Sequence, residues 1–236
     1  MWQRLASLLF TIFLFAATAA FAVIVLICAW RPFHTRYSVA RAWARTLLTV
    51  LRWLCGLEYV VEGRELLPAG EHISLWKHSS AFETIAQVLV FPPQAWVLKR
   101  ELMWIPVVGW ATHFMRPIAI NRRAGAAAVS QVIEQGTERL NSGLWVLVFP
   151  EGTRVPVGTT RRFGVSAGLL ATSTGRCLVP VAHDAGLYWP RRGLLKRRGK
   201  IRIVIGPPIP SAGREAREIN DQAKAWIDAK VAELGA

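Results

Sequence analysis

ISLWKHSSAFE, the segment Ile73–Glu83, joins a short apolar run to a segment with a helical pattern. Ile73–Trp76 has the length and composition of a buried strand, and the helical pattern covers Ser80–Phe91. His78 therefore lies at a strand-to-helix junction. In α/β sheets, binding and catalytic sites form beyond the carboxyl ends of the strands, so this segment predicts both a fold class and the place of a site.

The rest of the chain after Leu57 repeats this alternation of short apolar runs and longer helical patterns. The predicted strands are Glu58–Val61, Ile73–Trp76, Ala95–Leu98, Pro117–Ile120, Leu144–Phe149, Cys177–Ala182 and Lys200–Ile205. The predicted helices are Ser80–Phe91, Ala124–Leu140, Val165–Thr174 and Arg214–Leu234. The alternation predicts an α/β domain at residues 57–236, in which helices cover a largely buried sheet.

An uncharged apolar stretch of 26 residues, Leu5–Trp30, precedes this domain. As a helix it would be about 39 Å long, against a bilayer hydrocarbon core of about 30 Å, so it can span a membrane with some tilt. A cleaved signal peptide is the alternative, since Ala17-Thr18-Ala19 resembles a cleavage site. The apolar sequence continues to Trp30, which favours a retained transmembrane anchor at residues 1–31.

A basic segment follows the anchor, and Tyr37–Leu54 alternates apolar residues with arginines. This pattern predicts an amphipathic helix at residues 32–56, lying either in the membrane interface or on the surface of the following domain. Positive charge next to a membrane span is retained in the cytoplasm. We therefore expect a bacterial-type inner membrane protein with its main domain facing the cytoplasm.

The net charge of +14 predicts an anionic partner, either nucleic acid or an acidic membrane surface. The apolar stretch favours the membrane, and no platform of spaced aromatic residues typical of single-stranded nucleic-acid binding is recognisable. We therefore expect an anionic membrane surface and no nucleic acid. The three cysteines are scattered, so neither a disulfide framework nor a metal site is expected.

His78 and Glu83 form a candidate pair of base and carboxylate. A histidine can take a proton from an alcohol when a carboxylate holds its other ring nitrogen and stabilises the imidazolium. Alternatively, Glu83 completes a capping box that begins at Ser80. His78 could also activate Ser79 or Ser80 for an acyl-serine intermediate, although the lack of a G-x-S-x-G motif favours direct transfer.

FPEGTR, the segment Phe149–Arg154, follows the most apolar predicted strand and has the composition of an anion-binding loop. Gly152 permits close backbone approach, Thr153 offers a hydroxyl, and Arg154 supplies a planar fork that matches phosphate oxygens. Glu151 could aim that guanidinium, order the loop, or form an ordinary surface salt bridge with Arg154.

Basic pairs also follow two other predicted strands, Lys99-Arg100 and Arg122-Arg123. Basic residues at several strand ends would converge on one side of the sheet. The sequence therefore predicts a phosphate pocket there.

Over roughly Tyr59–Pro210 the chain resembles the lysophosphatidic acid acyltransferases, a glycerolipid acyltransferase family. Four blocks carry the resemblance: His78–Glu83; Lys99–Leu102 with Ile105-Pro106, Gly109-Trp110 and Arg116–Arg122; Glu151–Arg154; and Val179–Ala182. The chain departs from the family pattern at two positions, since Glu83 stands where aspartate is usual and Asn121 stands where an acidic residue is common.

The resemblance implies acyl transfer from acyl-CoA or acyl carrier protein to the free sn-2 hydroxyl of lysophosphatidic acid, giving phosphatidic acid. It implies that His78 is the general base and that Glu83 orients it. The implied phosphate-binding residues are Lys99, Arg122, Glu151, Gly152, Thr153 and Arg154. No metal or cofactor is expected, because a thioester is already activated.

Two alternatives remain open at this point. The acceptor could be glycerol 3-phosphate, lyso-ornithine lipid or another lysolipid. The chain could also be a non-catalytic basic module that binds acidic lipid, in part through the run Arg191–Arg198.

Overall fold

The computed structural model describes all residues, 1–236. Eight α-helices are present: α1 Trp2–Ile27, α2 Phe33–Cys55, α3 Phe82–Val90, α4 Val108–His113, α5 Ala126–Asn141, α6 Ser166–Thr174, α7 Ala185–Tyr188 and α8 Ala216–Glu233. Seven strands are present: β1 Leu57–Glu62, β2 Ile73–Trp76, β3 Gln94–Lys99, β4 Ile118–Ile120, β5 Trp145–Val148, β6 Leu178–His183 and β7 Gly199–Ile205. Two short 3-10 turns cover Arg64–Leu66 and Arg100–Trp104.

The strands form one sheet in the order β1-β7-β6-β2-β5-β3-β4. Only the pair β6 and β7 is antiparallel, so β2, β3, β4, β5 and β6 all run in the same direction. Ser74 of β2 lies opposite Leu147 of β5 on one side and opposite Val179 of β6 on the other. This order places the segment after β2 beside the segments that follow β5 and β6.

Every residue of the three central strands is buried, without polar alternation. Such continuous burial is typical of strands covered on both faces. Trp145 and Leu147 of β5 contribute to a core shared with α1, α2 and α3, whereas Val146 and Val148 contribute to a second core shared with α5, α6 and α8. Helices therefore cover both faces of the sheet, which confirms the predicted α/β fold.

α1 is the one helix that is long and apolar enough to cross a membrane, with a mean hydropathy of 2.7 over its most apolar window. It packs against the rest of the chain over most of its length. Gln3 near its start donates a hydrogen bond to the Cys55 carbonyl, and Trp43 of α2 donates one to the Thr18 hydroxyl at 3.1 Å. Its outer side is a row of exposed apolar residues: Leu5, Leu8, Leu9, Ile12, Phe15, Val23, Ile24 and Ile27.

α2 buries Ala44, Leu47 and Leu51, while Arg45 and Arg52 remain exposed. It contacts α1, α3 and β1, so it lies on the surface of the sheet domain.

All seven predicted strands are present, each within two residues of its predicted bounds at either end. The sequence analysis missed α4 and α7. Both are shorter than two turns, and a hydrophobic period cannot be recognised over so few residues.

Candidate active site

The junction between β2 and α3 joins His78 to Glu83. The imidazole Nδ1 donates a hydrogen bond of 2.8 Å to Glu83 Oε1, and the same oxygen accepts the backbone N–H groups of Ser79 and Ser80 at 3.0 and 2.8 Å. The Glu83 carboxylate therefore does both things that the sequence allowed for it. It accepts backbone N–H groups at the start of α3, and it orients the His78 imidazole. Because Nδ1 carries the proton toward Glu83, the lone pair of His78 Nε2 is left for a substrate.

Glu83 is fully buried and ionised. Burial alone would raise its pKa, but the adjacent His183 and the hydrogen bonds from His78 and Ser80 together hold the pKa below its usual range. His183, the last residue of β6, lies 3.8 Å from the second oxygen of Glu83. Its own Nε2 donates to the Lys77 carbonyl at 2.8 Å, so the end of β6 is tied to the end of β2.

The loop after β5 packs against His78 on another side. The Phe149 ring stacks on the imidazole with ring centroids 4.0 Å apart, and the Val155 N–H donates to the His78 carbonyl at 2.7 Å. Stacking and hydrogen bonding together restrict the imidazole to one orientation, which a general base requires.

The Ser80 hydroxyl is buried, donates to the Trp189 carbonyl at 2.6 Å and accepts the Phe82 N–H at 3.1 Å. These bonds fix it in a structural position. They favour direct transfer over an acyl intermediate on Ser80.

Glu151 lies in the same loop, buried and away from Arg154. Its Oε1 accepts the His78 N–H at 3.3 Å and pairs with the Lys77 ammonium at 3.4 Å. Burial raises the pKa of Glu151, and Lys77 only partly opposes this. Of the roles considered for Glu151, the structure shows loop ordering. The predicted contribution of Glu151 to phosphate binding stays a prediction.

Two arginines lie beside His78. Arg122, which follows β4, donates to the Gly152 carbonyl, and burial lowers its pKa although Glu101 opposes the shift. The buried Nε of Arg154 has no hydrogen-bond partner. Gly152 adopts φ +67°, a conformation that favours glycine, and nothing lies within 4 Å of a Cβ built on it. A side chain at position 152 would therefore be disfavoured by the backbone conformation and not by lack of space.

The remaining predicted phosphate residues differ in position. The Thr153 hydroxyl accepts a hydrogen bond from Arg191 at 3.3 Å, at the edge of the site. Lys99 is half-exposed, lies 4.0 Å from Glu101 and does not line the cavity described below.

A cavity of about 390 Å³ adjoins these groups. Fifteen of its 22 lining residues are hydrophobic. Its apolar walls come from α1, α2, α3, β3 and α4, and its lining also includes His78, Phe149, Arg122 and Arg154. An imidazole and two guanidinium groups therefore line a cavity suited to a hydrocarbon chain. No group of three or more His, Cys, Asp or Glu side chains is placed to hold a metal ion.

Lys77 and His183 were not predicted from the sequence. A lysine directly after a short, mostly apolar strand was an available signal for Lys77. No comparable signal existed for His183, because a single histidine next to a buried strand is more often a core residue.

The acyltransferase family model matches residues 58–184 of the chain. The chain is 41% identical over 207 residues to the 1-acyl-sn-glycerol-3-phosphate acyltransferase of Pseudomonas aeruginosa, and the match covers 86% of this chain and 80% of that protein. It is 26% identical over 172 residues to the human 1-acyl-sn-glycerol-3-phosphate acyltransferase alpha, covering 72% of this chain and 61% of that protein.

The fold is similar to the crystal structure of the 1-acyl-sn-glycerophosphate (LPA) acyltransferase PlsC from Thermotoga maritima. The TM-score is 0.80, and the superposition covers 99% of this chain and 98% of that chain at 23% sequence identity. At this identity the likeness supports the fold alone.

The matches confirm the resemblance that the four sequence blocks indicated. They favour an enzyme over the alternative of a non-catalytic lipid-binding module. The chain belongs to the acyltransferase family.

Proposed function

We propose that this enzyme transfers an acyl chain from a thioester to the sn-2 hydroxyl of lysophosphatidic acid, forming phosphatidic acid for phospholipid biosynthesis. The observation that carries the proposal is the His78–Glu83 pair, which opens onto an apolar cavity beside two arginines. Both relatives described above are 1-acyl-sn-glycerol-3-phosphate acyltransferases, which supports the same acceptor.

In the proposed reaction, His78 Nε2 removes the proton of the acceptor hydroxyl as the oxygen attacks the thioester carbonyl. Glu83 stabilises the imidazolium that forms. The tetrahedral intermediate then collapses, the carbon–sulfur bond breaks, and the imidazolium can return the proton to the departing thiolate. A thioester is activated and a thiolate leaves readily, so the reaction needs positioning and proton transfer and no cofactor.

Arg154 and Arg122 are the proposed phosphate ligands. Both guanidinium groups line the same cavity as His78, and a guanidinium binds phosphate through two parallel hydrogen bonds. Gly152 and Thr153 complete the loop that holds these groups. Lys99 is reached only from the surface, so its expected contribution is the smallest of the set.

The exposed apolar side of α1 suits contact with membrane lipid, from which acceptor and product would exchange. We propose that the enzyme works at an anionic inner-membrane surface with its active site accessible from the cytoplasm, where acyl-CoA and acyl carrier protein are both available as donors.

The test uses protein purified in detergent. Labelled acyl-CoA and labelled acyl-loaded acyl carrier protein are supplied in parallel as donors. The acceptors are lysophosphatidic acid, glycerol 3-phosphate, lyso-ornithine lipid and other lysophospholipids. Phosphatidic acid as the main product of the unmodified chain, absent with His78→Ala and retained with Ser79→Ala, is the expected result. Preferential acylation of another acceptor would overturn the proposed substrate, and turnover by His78→Ala would overturn the assignment of the base.

A further inference from the structure

α1 carries its uncharged polar residues in one stripe: Gln3, Ser7, Thr11 and Thr18. Their spacing of four, four and seven residues places them on one face of a helix. That face is turned toward the protein, and the exposed side of the helix is apolar. The stripe contacts Cys55 and Lys196 near the start of the helix and Trp43 of α2 farther along.

Lys196 lies in the loop before β7 and is only 2% exposed. Its backbone N–H donates to the Ser7 hydroxyl at 2.9 Å, and its carbonyl accepts a hydrogen bond from Gln3 at 2.5 Å. Its ammonium donates to the Leu194 carbonyl at 2.9 Å, to the Ser7 carbonyl at 3.4 Å and to the Thr11 hydroxyl. Backbone and side chain of one residue therefore bind three successive turns of α1.

The Lys196 ammonium has no carboxylate partner. Two aromatic faces complete its surroundings, with the Trp189 ring centroid at 4.9 Å and the Phe10 ring centroid at 5.5 Å. Burial lowers the pKa of Lys196, although Cys55 opposes the shift. A buried cation held only by oxygen atoms and aromatic faces is costly unless each contact is made, so this arrangement tolerates few positions of α1.

The same helix forms one wall of the cavity through Thr18, Phe21, Ala22 and Val25. A slip of α1 by one residue moves that wall by about 1.5 Å and rotates it by about 100°. A change in the position of α1 at Lys196 therefore also moves the part of the cavity wall that would contact the hydrocarbon chain.

We propose that Lys196 is a positioning residue that fixes the register of α1 and thereby sets the acyl-chain length that the cavity accepts. This inference rests on the proposed function, which assigns an acyl chain to the cavity. A merely structural lysine would, when replaced, lower turnover of all acyl donors by the same factor. A residue that positions the cavity wall changes the ratio between donors.

The main variant is Lys196→Met, which keeps the length of the side chain and removes its charge. Lys200→Met is the matched control, because Lys200 is exposed and makes no side-chain hydrogen bond or ion pair. The kcat/KM of short, medium and long acyl donors is compared. We expect Lys196→Met to change the ratio between long and short donors by about tenfold, the effect of misfitting one or two methylene groups, and Lys200→Met to leave it unchanged.

A disulfide measures the position of α1 without using activity. Gln3, one turn before Ser7 on α1, donates a hydrogen bond to the carbonyl of Cys55 at the end of α2 at 2.9 Å, so Ser7→Cys should form a disulfide with Cys55 under mild oxidation, with Cys28 and Cys177 replaced by serine. Adding Lys196→Met should lower the yield several-fold. In the cross-linked fraction of the Lys196→Met protein, the ratio of kcat/KM between long and short donors should return to that of the unmodified chain, because the disulfide replaces the lost contacts.

If Lys196→Met does not fold, Thr11→Val removes one acceptor on α1 and is tested in the same two ways. A folded Lys196→Met protein with an unchanged donor ratio and unchanged cross-linking would overturn the inference. Absence of transfer by the unmodified chain would overturn the proposed function instead, and the cross-linking yield would then decide by itself whether Lys196 fixes α1.

Discussion

Glu83 at the start of α3 and Glu151 in the loop after β5 are both buried and both bond to His78, one at its imidazole and the other at its backbone N–H. Glu83 receives three hydrogen bonds on one oxygen, and its pKa is lowered. Glu151 faces the Lys77 ammonium and one N–H group, and its pKa is raised. The two carboxylates are similarly buried but have opposite pKa shifts. The number and orientation of the hydrogen-bond donors decide whether the ionised or the protonated form is favoured. We infer that Glu83 acts on the reaction and that Glu151 maintains the loop.

The largest expected effect comes from removing the group that both carboxylates bond. His78→Ala should lower kcat by on the order of 100-fold to 10,000-fold, since no general base remains. Circular dichroism and the thermal midpoint should stay close to those of the unmodified protein. A kcat within tenfold of normal would contradict the assignment.

Glu83→Gln should lower kcat by about 100-fold with little change in KM. The amide oxygen can still accept the N–H groups of Ser79 and Ser80, but an uncharged group cannot stabilise the imidazolium. Glu83→Asp restores the charge with a shorter side chain and should recover part of the rate. Equal rates for the two variants would show that only the capping role matters.

Arg154→Ala should raise the KM for the acceptor by about tenfold to 100-fold, the usual effect of losing a hydrogen bond to a charged group. Lys99→Ala is the matched control, because Lys99 is a basic residue at the end of β3 that lies outside the cavity lining. Steady-state kinetics with varied acceptor would check both variants. A rise confined to the acyl donor would show that the phosphate has been placed wrongly.

Glu151→Gln should lower kcat by less than tenfold. Burial disfavours the ionised form of Glu151 although Lys77 opposes this, so loss of the charge should change the free energy of unfolding little near neutral pH. Lys77→Met together with Glu151→Gln removes both buried groups and should be at least as stable as Glu151→Gln alone. Thermal unfolding in detergent would measure both. A loss of kcat as large as that of Glu83→Gln would remove the distinction between the two carboxylates.

The smallest effect is the pH dependence of stability. The lowered pKa of Glu83 means that its stabilising contribution is present above its ordinary pKa and is lost as pH falls. The raised pKa of Glu151 has the opposite sign, so its contribution is lost as pH rises through the raised value. The difference in thermal midpoint between the unmodified chain and Glu83→Gln should therefore increase with pH, and the difference for Glu151→Gln should decrease. Parallel slopes would contradict the opposite shifts.

Much of the candidate site could be predicted from the sequence, because its parts are local. His78 and Glu83 are five residues apart across one junction, so their contact depends on a single turn. Gly152, Thr153 and Arg154 likewise lie in one loop. The pairing of Glu151 could not be predicted because its partner, Lys77, follows a different strand, β2, and the order of β2 and β5 in the sheet cannot be read from local patterns.

The sequence by itself determined the α/β class, the seven strands, the apolar N-terminal helix and the blocks that contain His78 and the arginines. These properties follow from hydrophobic period and residue chemistry over short stretches. Only the tertiary structure decided that His183 faces Glu83, that Lys196 binds α1, and that α1 walls the cavity. Each of these contacts joins residues more than 90 positions apart or depends on how a whole helix packs against the rest of the chain. Packing of the complete chain, and not local preference, brings them together.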